Sequence, residues 1–431
     1  MMKIFSKNIT PDSFSGAVFA MEGIDRTTVL INGPTGCKFY HSAISDSQNV
    51  RYYKFDPLNY PDNFYLGQNR VPCTYLNKND YVYGSGEKLK KALSFIRSNT
   101  DFDLLAVINS PGAALIGDDL EGIISREIED KKYVVIETPG FSKNICDGYE
   151  TTAIETIKRL AFPKKKIKTS KVNILGISIF HKYYRGDVGE LKRILALCGI
   201  EVNCFLCANC SINSIKNLSE AELNIVIHPE YGCQTAQFLK EIYATPYYVC
   251  NGPPIGFGAT EKFIMDICDL LKKDYRPFMD ESEKSRAEAY MHLSRANFMT
   301  GLPKGINFAV EGNWSEVYSY TSFLVKYFGM IAESANVVNR EQDIFRERTE
   351  RLFSEFKMSN ALKKDIMETT SELVFANGNT IARLKLQGGR FSGIETSLPS
   401  MGYIDVIPKT HLGLKGSLLI TEQVLNGVIF V

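Results

Sequence analysis

Short aliphatic and β-branched runs alternate along the whole chain with longer stretches whose apolar positions recur at helical spacing. TVLING, LLAVINS and YVVIETP read as strands, with helices expected after Gly86, Asp118 and Gly148. From Lys171 onward the same grammar returns. VNILGISI is a buried strand, and Leu191, Ile194, Leu195 and Cys198 then fall on one face of a helix. EVNCFLC, LNIVIH and PYYVCN predict three more strands, the last followed by the helical GATEKFIMDICDLLKK. A third set opens at INFAVEG, continues with a helical face of Val317, Tyr320, Thr321 and Leu324, and includes SELVFANGN as a strand. Such alternation implies parallel strands joined by crossover helices, because a tight hairpin cannot connect parallel neighbours. The expected fold is α/β, with three doubly wound, Rossmann-like parallel-sheet domains around a central cleft. Their expected bounds are 1–168, carrying a cluster loop, then 169–290 and 291–431. The charged PKKKIKTSK marks the first boundary, and DYRPFMDESEKSRAE around Pro277 the second.

A chain of 431 residues has room for several such domains. Lys plus Arg (50) nearly cancel Asp plus Glu (49), so no general attraction for nucleic acid or an anionic membrane is expected. No stretch reaches the roughly 18 uninterrupted apolar residues of a membrane span, and the start resembles no signal peptide, so the expected location is the cytoplasm. The 10 cysteines are irregularly spaced, which suggests thiols, metal ligands or small core residues rather than a disulfide framework.

Ligands bind such sheets outside the carboxyl ends of the strands, so the strand-end loops carry the candidate chemistry. In INGPTGCKFYHS, Gly33 and Gly36 permit a tight turn after a strand and Cys37 is presented just beyond it. NSPGAALIGDDLEGI turns through Pro111 and Gly112, then through Gly117, Asp118 and Asp119 into a helix. ETPGF at 137 to 141 is a further Pro-Gly turn. Cys73, behind a proline in NRVPCTYL, is a second thiol candidate; it either ligates metal or lies unligated beside it. Cys204, Cys207 and Cys210 form C-x2-C-x2-C but lack the fourth ligand of a ferredoxin-type run, so Cys204 is read as structural and the other two as cleft thiols. His228, ending a strand, and Cys233, five residues later, can each bind a metal.

In this order and at these separations the three loops resemble the amino-terminal domain of the nitrogenase component 1 family. That family includes nitrogenase subunits, cofactor-assembly scaffolds and dark-operative protochlorophyllide reductases. NILGISIFHKYYRGDVGELKRILALCGIEV and HPEYGCQTAQFLKEIYATPYYVCNGPPIGFGATEKFI resemble its second domain, and SELVFANGN with HLGLKGSLLITEQVLN its third. The resemblance implies an oxidoreductase subunit with an iron–sulfur cluster between subunits. Cys37 matches the ligand of the Gly-x-x-Gly-Cys loop, and Cys73 lies in a segment near the cluster. Pro111 stands where a cysteine would precede IGDD, and the loop expected around Ser13 to Gly16 has none, so a 4Fe-4S cluster shared across a dimer is expected rather than an eight-iron one. His228 falls near the place of the cysteine that anchors the active-site metallocluster, and whether this chain holds a second metallocluster stays open.

The implied partners are a nucleotide-dependent iron–sulfur reductase protein and a second subunit, identical or related. GPTGCKFY lacks the lysine and spacing of a phosphate loop, so nucleotide hydrolysis is assigned to the partner. The implied reaction is reduction of a small molecule or a tetrapyrrole in the cleft. A scaffold for metallocluster assembly and a non-catalytic subunit of a heterodimer are the alternatives.

Overall fold

The computed structural model describes residues 11–37, 71–99, 101–129, 132–137, 143–160, 169–339, 344–398 and 405–429. The ETPGF turn and the PKKKIKTSK segment lie largely outside them. Among the described residues the strands form three sheets. The first orders β1 (Thr27–Asn32), β2 (Leu104–Asn109) and β3 (Tyr133–Glu137) in sequence. The second runs β5-β4-β6-β7, from β4 (Thr169–Leu175), β5 (Glu201–Phe205), β6 (Ala221–Val226) and β7 (Tyr247–Val249). The third runs β11-β10-β8-β9, from β8 (Asn307–Gly312), β9 (Ile331–Val337), β10 (Leu373–Ala376) and β11 (Ser392–Glu395). Every strand pair is parallel, so all carboxyl ends within a sheet lie on one edge, as the strand–helix alternation requires.

The expected helical faces are the buried ones: Leu191, Ile194, Leu195 and Cys198 on Tyr184–Leu197, and Val317, Tyr320, Thr321 and Leu324 on Trp314–Phe328. β9 and β11 carry too much polarity or too little length to announce themselves; Ser334 and Glu395 are buried all the same. Pro277 opens the helix Arg276–Thr300, where the first helical turn needs no proline N–H, and this helix continues through position 290.

The segment Ser13–Gly16 is likewise not a loop. It begins the helix Ser13–Glu22, capped by Asp12 and buried along its whole length. This helix crosses Ile145–Arg159 so closely that a Cβ on Gly16 would lie 2.0 Å from the Ile145 carbonyl oxygen, and one on Gly148 1.9 Å from that of Ser13. Gly148 therefore marks a helix crossing inside Ile145–Arg159, not a helix start. The helix's far end docks on the second sheet. Asn209 N–H donates to the Gly23 carbonyl (2.8 Å), and Asp25 N–H to that of Cys210 (2.8 Å).

The third sheet is fastened to the second by buried polar contacts. Lys182 Nζ meets Glu395 at 2.5 Å and Asp405 at 3.0 Å, and Asp187 accepts from Thr410 Oγ1 at 2.6 Å. A buried pair of this kind sets geometry more than it adds net stability, but leaving one partner uncompensated is costly.

Candidate functional site

The carboxyl end of β1 is held by a side-chain ladder. Asn32 Nδ2 donates to Asn109 Oδ1 (3.1 Å) and to Ser85 Oγ (3.3 Å), and Thr74 Oγ1 donates to Asn32 Oδ1 (2.9 Å). Ser85 Oγ in turn donates to Asp118 (2.6 Å), so the IGDD turn is tied to the same edge. Residues 72–76 run parallel beside β1, with Ile31 N–H bonded to the Pro72 carbonyl (2.9 Å) and Thr74 N–H to that of Ile31 (3.0 Å). This pairing carries Cys73 back to Cys37. The Cys37 thiol is half-buried and is raised by burial first, then by the charges of Cys73 and Asp12. The structure thus lays the Cys73 segment beside the strand that leads to Cys37, and Asp12, which reads in the sequence as a plain helix cap, acts on the Cys37 thiol through its charge.

Thiolate is the usual ligand of iron–sulfur clusters, and a four-iron cluster takes four ligands. Thiols of this kind are what such a group takes as ligands. The surface beside them is apolar and exposed: Tyr81, Val82 and Tyr83 on one short helix, Tyr75 before it, and Leu115 on the neighbouring loop. Tyr81 reaches Gly112, and its hydroxyl is raised by burial and by Cys37.

The other cysteines behave differently. Cys204, Cys207 and Cys210 are all buried; Cys207 takes a positive φ of 56°, and its N–H points at Cys210 Sγ (3.3 Å). Cys207 and Cys210 are therefore not cleft thiols. They build the turn on which Gly23 sits, with the Cys207 carbonyl oxygen 1.8 Å from where a Gly23 Cβ would be. Cys233 starts the helix Cys233–Tyr243, half-buried, its thiol pushed up to about 12 by burial and then by Glu150 and Glu230.

A second constellation forms where the three sheets converge. A cavity of about 60 Å³ is lined by Pro11 and Ile145, by His181 and Tyr231 of the second sheet's loops, and by Glu311, Asn313, Glu316, Asn339 and Asn377 of the third's. Pro11 adjoins Asp12, so the cavity begins one residue from the thiol loops. His181 follows β4, His228 follows β6 and Glu316 stands in the first turn after β8. All three are buried, and the imidazoles stack with centroids 4.0 Å apart and 24° between planes. Glu316 Oε1 lies 4.0 Å from His181 Nε2 and 3.9 Å from His228 Nδ1.

Local chemistry fixes each side chain. Glu316 is the third residue of a capping box: its Oε2 accepts from Asn313 N–H (2.8 Å) and Asn313 Nδ2 (3.1 Å), which leaves Oε1 for the histidines. Ser178 N–H donates to His181 Nδ1 (3.2 Å), so a neutral His181 ring carries its proton on Nε2, facing Glu316. Burial dominates the electrostatics. It drives His181 down to about 3 and His228 well below the ordinary imidazole range, and raises Glu316 to about 7, with Glu230 adding to the rise. Two neutral imidazoles therefore face a carboxyl that changes protonation near neutral pH.

The sequence points to His228 singly and gives no sign of His181 or Glu316. The NWSE capping box marks where the helix begins but not what its free oxygen meets. His228, expected as a metal ligand, stands with His181 and Glu316 so that each offers one potential ligand atom, all within 4.8 Å of one another. Atoms bound to one ion at about 2.1 Å lie roughly 3.0–3.4 Å apart, whereas atoms sharing one hydrogen-bonded oxygen or nitrogen at about 2.8 Å lie roughly 4.0–4.6 Å apart. The observed spacing matches the second case. His411 is held by Tyr320 Oη (2.7 Å) and Gln423 Oε1 (2.9 Å) and is structural.

A wider groove of about 730 Å³ lies between the helices Phe257–Leu271 and Trp314–Phe328, with Lys262, Arg286, Lys326 and Arg348 in its walls. It shares no lining residue with the smaller cavity.

Comparison with known proteins places this arrangement. A family model described as nitrogenase component 1 type oxidoreductase matches residues 13–428. The chain is 34% identical over 228 residues to a subunit of the light-independent protochlorophyllide reductase of Synechococcus sp. (strain JA-3-3Ab), covering 49% of this chain and 44% of that protein. It is 25% identical over 299 residues to the corresponding protein of Chlorella vulgaris, covering 65% and 58%. These matches span about half the length of the curated relatives. A solved structure titled "Nitrogenase Cp1 at pH 6.5" superposes with a TM-score of 0.78 at 17% identity, over 100% of this chain and 95% of that one, and shows the same fold. No helix among the described residues is long and apolar enough to cross a membrane. With a family model matched from the first helix to the last, this chain belongs to the nitrogenase component 1 type oxidoreductase family.

Proposed function

We propose that the chain is one subunit of a reductive enzyme in which Cys37 and Cys73 ligate a 4Fe-4S cluster shared with a second subunit. Electrons come from a nucleotide-dependent iron–sulfur reductase protein. The carrying observation is the pairing of the Cys73 segment with the end of β1, just ahead of the turn that presents Cys37, beside an exposed surface of tyrosines, Val82 and Leu115. The cluster, when bound, would accept and pass on single electrons. The chain's own residues do the rest. The Asn32–Asn109–Thr74 ladder fixes the two thiol-bearing segments against each other, which lowers the reorganisation that ligation would otherwise demand. The apolar surface excludes water once a partner covers it.

The cavity favours a small substrate. About 60 Å³ holds only a few heavy atoms, against the roughly 300–1,000 Å³ of pockets that take drug-sized ligands.

The test is to purify the protein anaerobically, with its partner subunit where one exists, and to measure iron content and mass together. A dimer carrying four irons per shared site, with iron lost in Cys37→Ala, is expected. A monomer retaining a complete four-iron cluster, or full iron occupancy in folded Cys37→Ala, overturns the reading.

A further inference from the structure

We infer that His181, His228 and Glu316 form a three-point hydrogen-bond cage that holds one small, neutral polar molecule beside the central cavity and hands protons to it. The reading deepens the proposed reductive function, on which it relies only for the source of electrons.

The geometry carries it. Glu316 Oε1 stands 3.9 and 4.0 Å from the two imidazole nitrogens, and all three atoms lie within 4.8 Å of one another. One oxygen or nitrogen atom placed about 2.8 Å from each satisfies those separations. The three positions also differ in hydrogen-bond role. His181 Nε2 carries a proton, because Nδ1 is occupied by the Ser178 N–H. His228 Nδ1 is buried and has no hydrogen-bond partner among the described residues, a costly state for a polar atom unless something fills the site. Glu316 Oε1 either accepts or, when protonated, donates.

The charge around the cage sets the class of ligand. Glu311 lines the same cavity, held by Asn377 Nδ2 (2.6 Å) and Thr380 Oγ1 (2.9 Å). Glu230 sits behind Glu316, accepting from Ser315 N–H (2.8 Å) and Oγ (2.6 Å). Tyr231 and Cys146 complete the buried surroundings on one side and Tyr320, on Glu316's own helix, on the other; each is raised by Glu316 among its causes. None of these neighbours is a cation. Among the described residues lining the cavity no positive charge would offset these carboxylates for an anion, whereas a neutral donor–acceptor needs none.

The proton step balances simply. For each electron that the reductase partner supplies to the bound molecule, the Glu316 Oε1–H bond breaks and one new bond to hydrogen forms on that molecule. The carboxylate regains its proton from solvent before the next electron arrives.

The test uses three probes of similar size, methylammonium, formamide and formate, against the full-length protein. Exchange broadening of ¹³C-labelled probe resonances reports binding, and the same measurement on Cys37→Ala separates the cage from the cluster reading. Formamide should bind to both proteins; formate, and methylammonium, which has no lone pair for His181 Nε2–H, should bind at least ten-fold more weakly. Glu316→Ala, which removes one of the three points, and His228→Gln, which cannot occupy the imidazole's place, should each weaken formamide ten-fold or more. Circular dichroism confirms that each variant is folded. Equal binding of formate, formamide binding unchanged in Glu316→Ala, or no binding of any probe to folded wild type overturns the proposal. A parallel Co²⁺ titration does so as well if it shows one tightly bound ion lost in His228→Gln, since the trio would then be a metal site.

Discussion

Glu316→Gln gives a direct measure of what burying this carboxyl costs. Its pKa rises from 4.5 to about 7, chiefly through burial. A folded-state value above the unfolded one means that the native protein holds the proton more tightly. The stabilisation is therefore fully present below about pH 4.5 and is lost as pH rises through about 7. Between pH 5 and pH 8 those two values give a loss of about 2.5 kcal/mol, at roughly 1.4 kcal/mol for each tenfold change in proton affinity. Glutamine keeps an oxygen for the Asn313 cap and does not titrate, so the variant lacks this slope. Other raised acids, Glu150 at about 8 and Asp187 at about 7, titrate in both proteins and cancel in the difference. Trp314, the chain's single tryptophan and buried at the start of the same helix, is a local fluorescent reporter for urea unfolding at the two pH values. Wild type should lose about 2–3 kcal/mol more than Glu316→Gln over this interval, with equal urea dependence. Parallel pH dependences, differing by under about 0.5 kcal/mol, would refute the argument that this carboxyl is desolvated by the fold.

Gly148→Ala places a Cβ 1.9 Å from the Ser13 carbonyl oxygen and should destabilise by about 1–3 kcal/mol or more through forced separation of two buried helices; a thermal midpoint equal to wild type would contradict it. Lys182→Ala leaves Glu395 without the ammonium that meets it at 2.5 Å in a buried site and should cost about 3–5 kcal/mol, read from urea unfolding. Below pH 6.5 the signs reverse for the buried histidines. His181 and His411 are both depressed to about 3, so stability is lost as pH falls from 6.5 toward 3, and His411→Gln should flatten that acid limb. Cys73→Ser, compared with Cys37→Ala by iron analysis, should lower iron content; unchanged iron would leave Cys73 as a neighbouring thiol only.

Periodicity alone announces the strands that are continuous apolar runs and the helices with one clean face, because burial on both sides of a parallel sheet demands such runs. It misses β9 and β11, whose buried Ser334 and Glu395 are satisfied by partners far along the chain: Lys364 O for Ser334, and Lys182 for Glu395. Motif order points to the family, and Cys37 is legible because a strand-end cysteine behind two glycines is a local signal. Cys207 and Cys210 mislead for the opposite reason. Their spacing is local, but what they do, seating Gly23 of a distant helix, is not. The cage is hidden in the same way. His181, His228 and Glu316 stand after three different strands of two sheets, and each has an ordinary local explanation: a turn, a strand end and a helix cap. Only the packing of the second sheet against the third, fixed by Lys182, Asp187 and Glu230, brings their polar atoms within 4.8 Å and strips them of water. Desolvation depends on every surrounding layer at once, and no stretch of sequence encodes it alone.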